Sequence, residues 1–281
     1  VELSESAWIF TSATLAVQND FSHFCNQLGL TQARTHQWGS PFDYAQQGLL
    51  YAPTHMPNPN SPGYVDAVVR AAYPVIRASG GRAFVLCTSL RAMRLIHEQL
   101  AERLKQDGAE IPLLMQGEGS RSELLSRFRY LGNAVLVASQ SFWEGVDVPG
   151  EALSVVIIDK LPFAPPDDPV LAARVEYLRS QGKDAFVEYQ LPRTVINMKQ
   201  GAGRLIRTET DRGVLMICDP RMVDRPYGKR IWRSLPAMRR TRELAVVENF
   251  LAGEALPPPQ ETEPLDQLSS PTAVMLNPAS T

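Results

Sequence analysis

The residues best suited to chemistry lie in one stretch, Gln200-Gly201-Ala202-Gly203-Arg204-Leu205-Ile206-Arg207. Two arginines stand three apart behind a glutamine and two glycines. At helical spacing Gln200, Gly203, Arg204 and Arg207 share one face. Gly203 leaves that face open to close approach by a ligand. Planar guanidinium forks match phosphate oxygens. The plain alternative is a solvated basic face on a surface helix. A second group, Ser141-Phe142-Trp143-Glu144-Gly145-Val146-Asp147, sets a Trp, two carboxylates and a glycine directly after an apolar run. Asp147 could pair with an arginine or a ribose, and Glu144 could orient a neighbour. A structural loop is the competing account. Thr88-Ser89 also follows an apolar run and opens a helical pattern, where hydroxyls and backbone N–H groups bind anions. An ordinary helix cap uses the same residues. Lys160, in Asp159-Lys160-Leu161-Pro162-Phe163, could contact a phosphate or belong to a stiff linker.

Several chemistries are excluded. No G-x-x-x-x-G-K-[ST] phosphate loop occurs, so a nucleoside triphosphate cannot be held here by the chain's own loop. No G-x-S-x-G elbow carries a hydrolase triad. His23, His36, His55 and His97 do not cluster, and no metal-ligand spacing appears. Cys25, Cys87 and Cys218 are too scattered for a CxxC pair and read as buried thiols of a reducing compartment.

Elements that must position these residues follow from the apolar pattern. Ala7-Trp8-Ile9-Phe10 reads as a buried strand delivering Thr11-Ser12-Ala13-Thr14 into a loop. Asp20 caps a helix over 21–28, stopped by Gly29. Leu49 to Ala52 is a short strand between turn-rich segments. Strands are predicted over 83–87, 111–115, 134–138, 155–158 and 214–218. Helices are predicted over 65–76, 88–105 and 188–206, with another opened by a Ser120/Glu123 capping box. Apolar strands alternating with helices predict a parallel α/β sheet covered on both faces. Ligands of such sheets gather beyond the carboxyl ends of the strands. Gln116-Gly117 and Asp219-Pro220-Arg221 therefore join the stretches above as positions to inspect.

The chain has 281 residues, 44% of them hydrophobic, and a formal net charge of −2. That is enough for one large or two modest domains and does not describe a globally basic nucleic-acid binder. No apolar run approaches the ~20 residues of a membrane span, and no signal peptide opens the chain. It begins at Val1 and reaches an apolar segment within a few residues, as expected of a piece of a longer protein. Residues 253–281, rich in Pro, Ser and Thr, read as a disordered tail. Within it, Val274-Met275-Leu276 is either a docking motif or an incidental apolar triplet.

In order, Thr11 to Leu15, Phe84 to Ser89, Ser141 to Asp147 and Gln200 to Arg207 resemble helicase motifs III, IV, V and VI. The Glu-Gly-Val-Asp and Gln-x-x-Gly-Arg-x-x-Arg wording is similar to the XPD-like branch of superfamily-two helicases. Ser40 to Tyr44, Leu49 to Tyr51, Gln116 to Glu118 and Leu161 to Phe163 look like its bacterial DinG/YoaA type. The resemblance covers about Trp8 to Leu251. It implies a RecA-like second motor domain over 41–252, behind a remnant of the first, 1–40, whose last strand carries motif III. The Walker A lysine, the Asp-Glu box and the four-cysteine iron–sulfur insertion are not in this chain.

What the resemblance implies for mechanism is specific. ATP and Mg2+ would sit between two RecA-like domains, held mainly by the first. Arg207 would be the arginine finger, Arg204 its partner at the γ-phosphate, and Gln200 their orienting group. Gly203, Gly145, Asp147 and Glu144 would line the cleft. Thr88, Ser89, Lys160 and Gln116 would touch single-stranded DNA, and Ser12 and Thr14 would couple the domains. Translocation would run 5′ to 3′, in repair or replication. The setting would be a bacterial cytoplasm, at the nucleoid, with an iron–sulfur cluster elsewhere in the protein. A clamp-loader accessory subunit is an implied partner, and no membrane is involved. The rival reading is a non-catalytic RecA-like module that binds single-stranded DNA or a replisome protein; a weaker one is an RNA-directed helicase.

Overall fold

Runs of four or five apolar residues form the central strands of one sheet. The computed structural model describes residues 7–139, 142, 152–165 and 167–256. Its strands are β1 (Gly48–Tyr51), β2 (Ala83–Cys87), β3 (Leu113–Met115), β4 (Val135–Ser139), β5 (Val155–Ile158), β6 (Gly213–Ile217) and β7 (Arg239–Thr241). They lie in the order β3-β4-β2-β5-β6-β1-β7, and every pairing is parallel. The period-two alternation of side chains sends successive residues to opposite faces, and both faces are buried. Phe84, Leu86, Leu136, Val156, Ile158, Leu215 and Ile217 point into one core. Val85, Val137, Ile157, Val214 and Met216 point into the other. This is the parallel α/β sheet, covered on both faces, that the alternating pattern predicts.

Helices cover both faces. On the second face lie α3 (Tyr64–Ala78), α4 (Leu90–Gln106) and α10 (Leu244–Leu251), which contribute Val68, Ile76, Met93, Ile96, Leu100 and Phe250. The first face is covered by α5 (Arg121–Leu131), α7 (Leu191–Ala202) and α9 (Pro226–Ser234), through Leu124, Phe128, Val195, Met198, Ile231 and Trp232. The Ser120 hydroxyl accepts from Glu123 N at 3.3 Å and the Glu123 carboxylate accepts from Ser120 N at 2.8 Å, so the predicted capping box starts α5. Shorter elements are α1 (Ser22–Leu28), α2 (Tyr44–Gln47) and α8 (Arg221–Asp224). Helix α6 (Pro169–Ser180) has no apolar stripe and buries only Leu171. Its start is still written in the sequence: Asp168 accepts from Val170 N and Leu171 N, and Pro169 occupies the first turn.

Two expectations are corrected. Residues 7–10 form no strand; Trp8, Ile9 and Phe10 are 65%, 84% and 45% exposed. A strand needs a hydrogen-bonding neighbour, and the edges of this sheet are β3 and β7. The helix predicted over 188–206 is shorter. It begins as a π-helical turn, Phe186–Gln190, continues as α7, and stops at Ala202. The predicted tail, Val274-Met275-Leu276 included, lies outside the described residues apart from 253–256. Among the described residues, no helix is long and apolar enough to cross a membrane.

Candidate functional site: two edges of one sheet

The early end of α7 decides where the arginines stand. Gly203 N still bonds Lys199 O at 2.9 Å, but Arg204 N and Leu205 N bond back only three residues, at 3.2 Å each. That tightened turn closes the helix. Leu205 and Ile206 then drop into the core, each 2% exposed, and Arg204 and Arg207 flank them half-buried. The two arginines therefore share a turn and loop, while Gln200 stays on α7. They are brought together by burial of the apolar pair between them, not by helical periodicity. A Cβ at Gly203 would meet only Lys199 O at 3.2 Å and Gln200 O at 3.7 Å. Outside its own turn, no described atom lies within 4 Å of that position.

Residues absent from the sequence reading fix this loop. Arg207 N and Thr208 N both donate to Asp211 Oδ2, at 2.7 and 2.8 Å. The buried Gln47 Nε2 donates to Thr208 O at 2.8 Å and Asp211 O at 3.0 Å. Gln47 stands just before β1, and the loop just before β6. These strands pair, Gly48 opposite Gly213, so the cluster sits at the amino edge of the sheet. The turn chemistry of Thr208 to Gly213 is visible in the sequence; the pairing with Gln47, more than 160 residues away, is not.

Lys199, next to Gln200, was also missed. Its Nζ donates to Ala16 O at 3.0 Å, and burial of the ammonium lowers its pKa. Ala16 and Val17 are buried against the domain. Ser12 and Thr14 lie just before this anchor; their hydroxyls are 3.3 Å apart and Thr14 N donates to Ser12 Oγ at 3.2 Å. Helix α7 also carries Arg193, Thr194 and Asn197, so no sequence signal singled this lysine out.

The opposite, carboxyl edge carries a row of polar groups. Gln116 Oε1, after β3, accepts from Ser139 N and Ser139 Oγ on β4, at 2.8 Å each. Asp159, after β5, is 1% exposed. Its Oδ1 accepts from Thr88 N at 2.9 Å and Lys160 N at 2.6 Å, and Thr88 Oγ1 lies 3.4 Å from Oδ2. Burial raises the Asp159 pKa to about 7, against the lowering pull of those donors. Asp219, after β6, accepts from Leu161 N at 2.8 Å and holds Arg221 through Nε and Nη2. Two buried carboxylates thus tie the ends of β2, β5 and β6 together.

Side chains named for this edge from the sequence have local duties as well. Ser89 Oγ caps α4 by accepting from Ala92 N at 3.1 Å. Lys160 Nζ donates to Pro59 O at 2.7 Å and lies 4.9 Å from the centre of the Tyr64 ring. Glu144, Gly145 and Asp147 lie outside the described residues; Phe142 of that stretch is buried, with Arg121 over its ring at 5.3 Å. Among the described residues no group of His, Cys, Asp and Glu could hold a metal ion.

One parallel sheet thus carries the Arg204–Arg207 loop at its amino edge and hydroxyl, amide and charged groups at its carboxyl edge. The chain belongs to the helicase C-terminal domain family, whose model matches residues 73–238. It is 51% identical over 246 residues to the ATP-dependent DNA helicase YoaA of Escherichia coli strain K12, covering 88% of this chain and 38% of that protein. It is 38% identical over 247 residues to the ATP-dependent helicase DinG of Mycobacterium tuberculosis, covering 86% of this chain and 36% of that one. The chain thus spans under two-fifths of the length of these relatives. Among solved structures, Xpd4 of S. tokodaii aligns with a TM-score of 0.51 at 16% identity, covering 75% of this chain and 42% of the other, a likeness of fold.

Proposed function

We propose that the chain is the C-terminal half of an ATP-dependent DNA helicase that moves 5′ to 3′ and serves repair or replication. The observation that carries the reading is the separation of two chemistries on one sheet: arginines before β6 and polar strand ends on the opposite edge. The names of the relatives, an ATP-dependent DNA helicase and an ATP-dependent helicase, support it.

In this reading Arg207 neutralises charge that develops on the γ-phosphate. Arg204 assists it, and Gln200 orients both. Gly203 leaves room for the nucleotide, and Glu144, Gly145 and Asp147 complete the cleft wall. ATP and Mg2+ are held mainly by a first RecA-like domain, which would precede residues 41–252 and end in the 1–40 segment. Thr88, Ser89, Lys160 and Gln116 contact the backbone of single-stranded DNA without reading sequence. Ser12 and Thr14, anchored beside Lys199, pass the nucleotide state to that track. An iron–sulfur cluster does not fit this chain. Cys25 is on α1, while Cys87 and Cys218 are buried in one core with no further cysteine near them. The cluster would belong to the preceding part of the protein. A clamp-loader accessory subunit is a proposed partner, in a bacterial cytoplasm at the nucleoid.

Removal of the finger tests the reading. Arg207→Ala in the intact enzyme is expected to cut DNA-stimulated ATP hydrolysis by about 10³ to 10⁵ while ATP still binds. Wild-type turnover in that variant defeats the assignment.

A further inference from the structure

Beside Arg221 at the carboxyl edge, three half-buried aromatic rings close on one another. Phe163 follows β5, Phe186 opens the π-helical turn, and Tyr227 stands on the first turn of α9. Phe163 and Phe186 are stacked, with centroids 5.7 Å apart and planes 29° from parallel. Tyr227 meets both edge-on, at 5.8 and 5.1 Å. The Arg221 guanidinium lies 5.5 Å from the Phe163 centroid. Asp219 takes Nε and Nη2 along one edge of that fork, and Nη1 lies on the other.

The placement is what gives these rings a use. Leu161 N, two residues before Phe163, is pinned by Asp219, so the rings adjoin the strand-end row that includes Thr88 and Lys160. From β3 to β6 that row crosses four inter-strand steps, roughly 19 Å at the usual spacing. A single strand offers flat π faces joined by regularly spaced anions. Rings set beside cations at the end of a polar row match both features without a sequence code.

We propose that Phe163, Phe186 and Tyr227 form a stacking platform for bases of a single DNA strand, with Arg221 contacting the adjoining phosphate. The proposal rests on the reading of the carboxyl edge as a DNA track and adds the base-binding part of it.

The test compares two probes of equal length on the full 281-residue chain: a fluorescent oligothymidylate and an abasic oligonucleotide with the same backbone. Wild type is expected to bind the first about tenfold to a hundredfold more tightly. The double substitution Phe163→Leu, Phe186→Leu keeps most of the apolar volume and removes the two stacked π faces of the three. It is expected to bring the two affinities within about threefold by weakening only the probe that has bases. Arg221→Gln should instead lower the slope of log affinity against log salt by about one. A 2-aminopurine base in the strand, quenched by stacking on the wild-type chain, decides the matter if the double variant fails to fold. An unchanged ratio in a folded variant, or no quenching on wild type, overturns the platform. A salt slope untouched by Arg221→Gln overturns the phosphate contact. If wild type binds neither probe, the DNA-track reading itself has failed and takes the platform with it.

Discussion

Asp159 is pulled in two directions by its surroundings. Three donors around its oxygens favour the carboxylate, while near-complete burial favours the neutral acid. Burial wins, and its pKa rises from 3.8 to about 7. Between those values the folded chain keeps a proton that the unfolded chain releases. Stability from this group is therefore full below the unfolded pKa, declines as pH rises through about 7, and is level above. Asp159→Asn, which cannot ionise, is expected to flatten that part of the profile in urea unfolding followed from about pH 4 to pH 8. A second residue-scale prediction concerns Gln47. Gln47→Leu leaves the carbonyls of Thr208 and Asp211 without their amide donor, at a cost of about 1–3 kcal/mol. The denaturation midpoint should fall, and the DNA-stimulated ATPase of the intact enzyme should fall with it, because the loop carrying Arg207 loses one of its supports. The residue types for phosphate chemistry were legible in the sequence. Gln47 and Asp159 were not, since their work depends on partners 161 and 71 positions away.

At the scale of elements, the end of α7 is instructive. Arg, Leu and Ile are tolerable helix residues, and local propensity alone carries the helix to 206. Gly201 and Gly203 weaken it, and burial of Leu205 and Ile206 is worth more than two further helical bonds. The same packing governs the start of β6. A Cβ on Gly213 would lie 2.8 Å from Ser154 O and closer still to the Leu205 side chain. Gly213→Ala is expected to destabilise the chain by about 1–3 kcal/mol through overpacking, seen as a lower thermal midpoint. The central strands were easy to read because they are apolar throughout, and α3, α4 and α5 because they carry stripes or caps. Helix α6 was missed because it has neither a stripe nor more than one buried residue.

For the whole molecule, the proposed function has the sheet separate two chemistries by the length of its strands. Arginines in a loop at the amino edge would serve a nucleotide only if another surface supplies the phosphate loop, which this sequence lacks. The purified 281-residue chain is accordingly expected to show no ATP turnover, with or without DNA, in a coupled phosphate-release assay. Turnover that survives repurification would contradict the shared-site reading. The sequence by itself determined the parallel α/β sheet, the order of its motifs and the family. Those are set by local apolar runs and by residue types at short spacing. Only the tertiary structure decided that Arg204 and Arg207 leave the helix, that they stand across the sheet from Thr88, Asp159 and Arg221, and that Phe163, Phe186 and Tyr227 meet. Each of these depends on which distant side chains share one core, and on strand neighbours such as Gly48 and Gly213 that lie far apart in the chain.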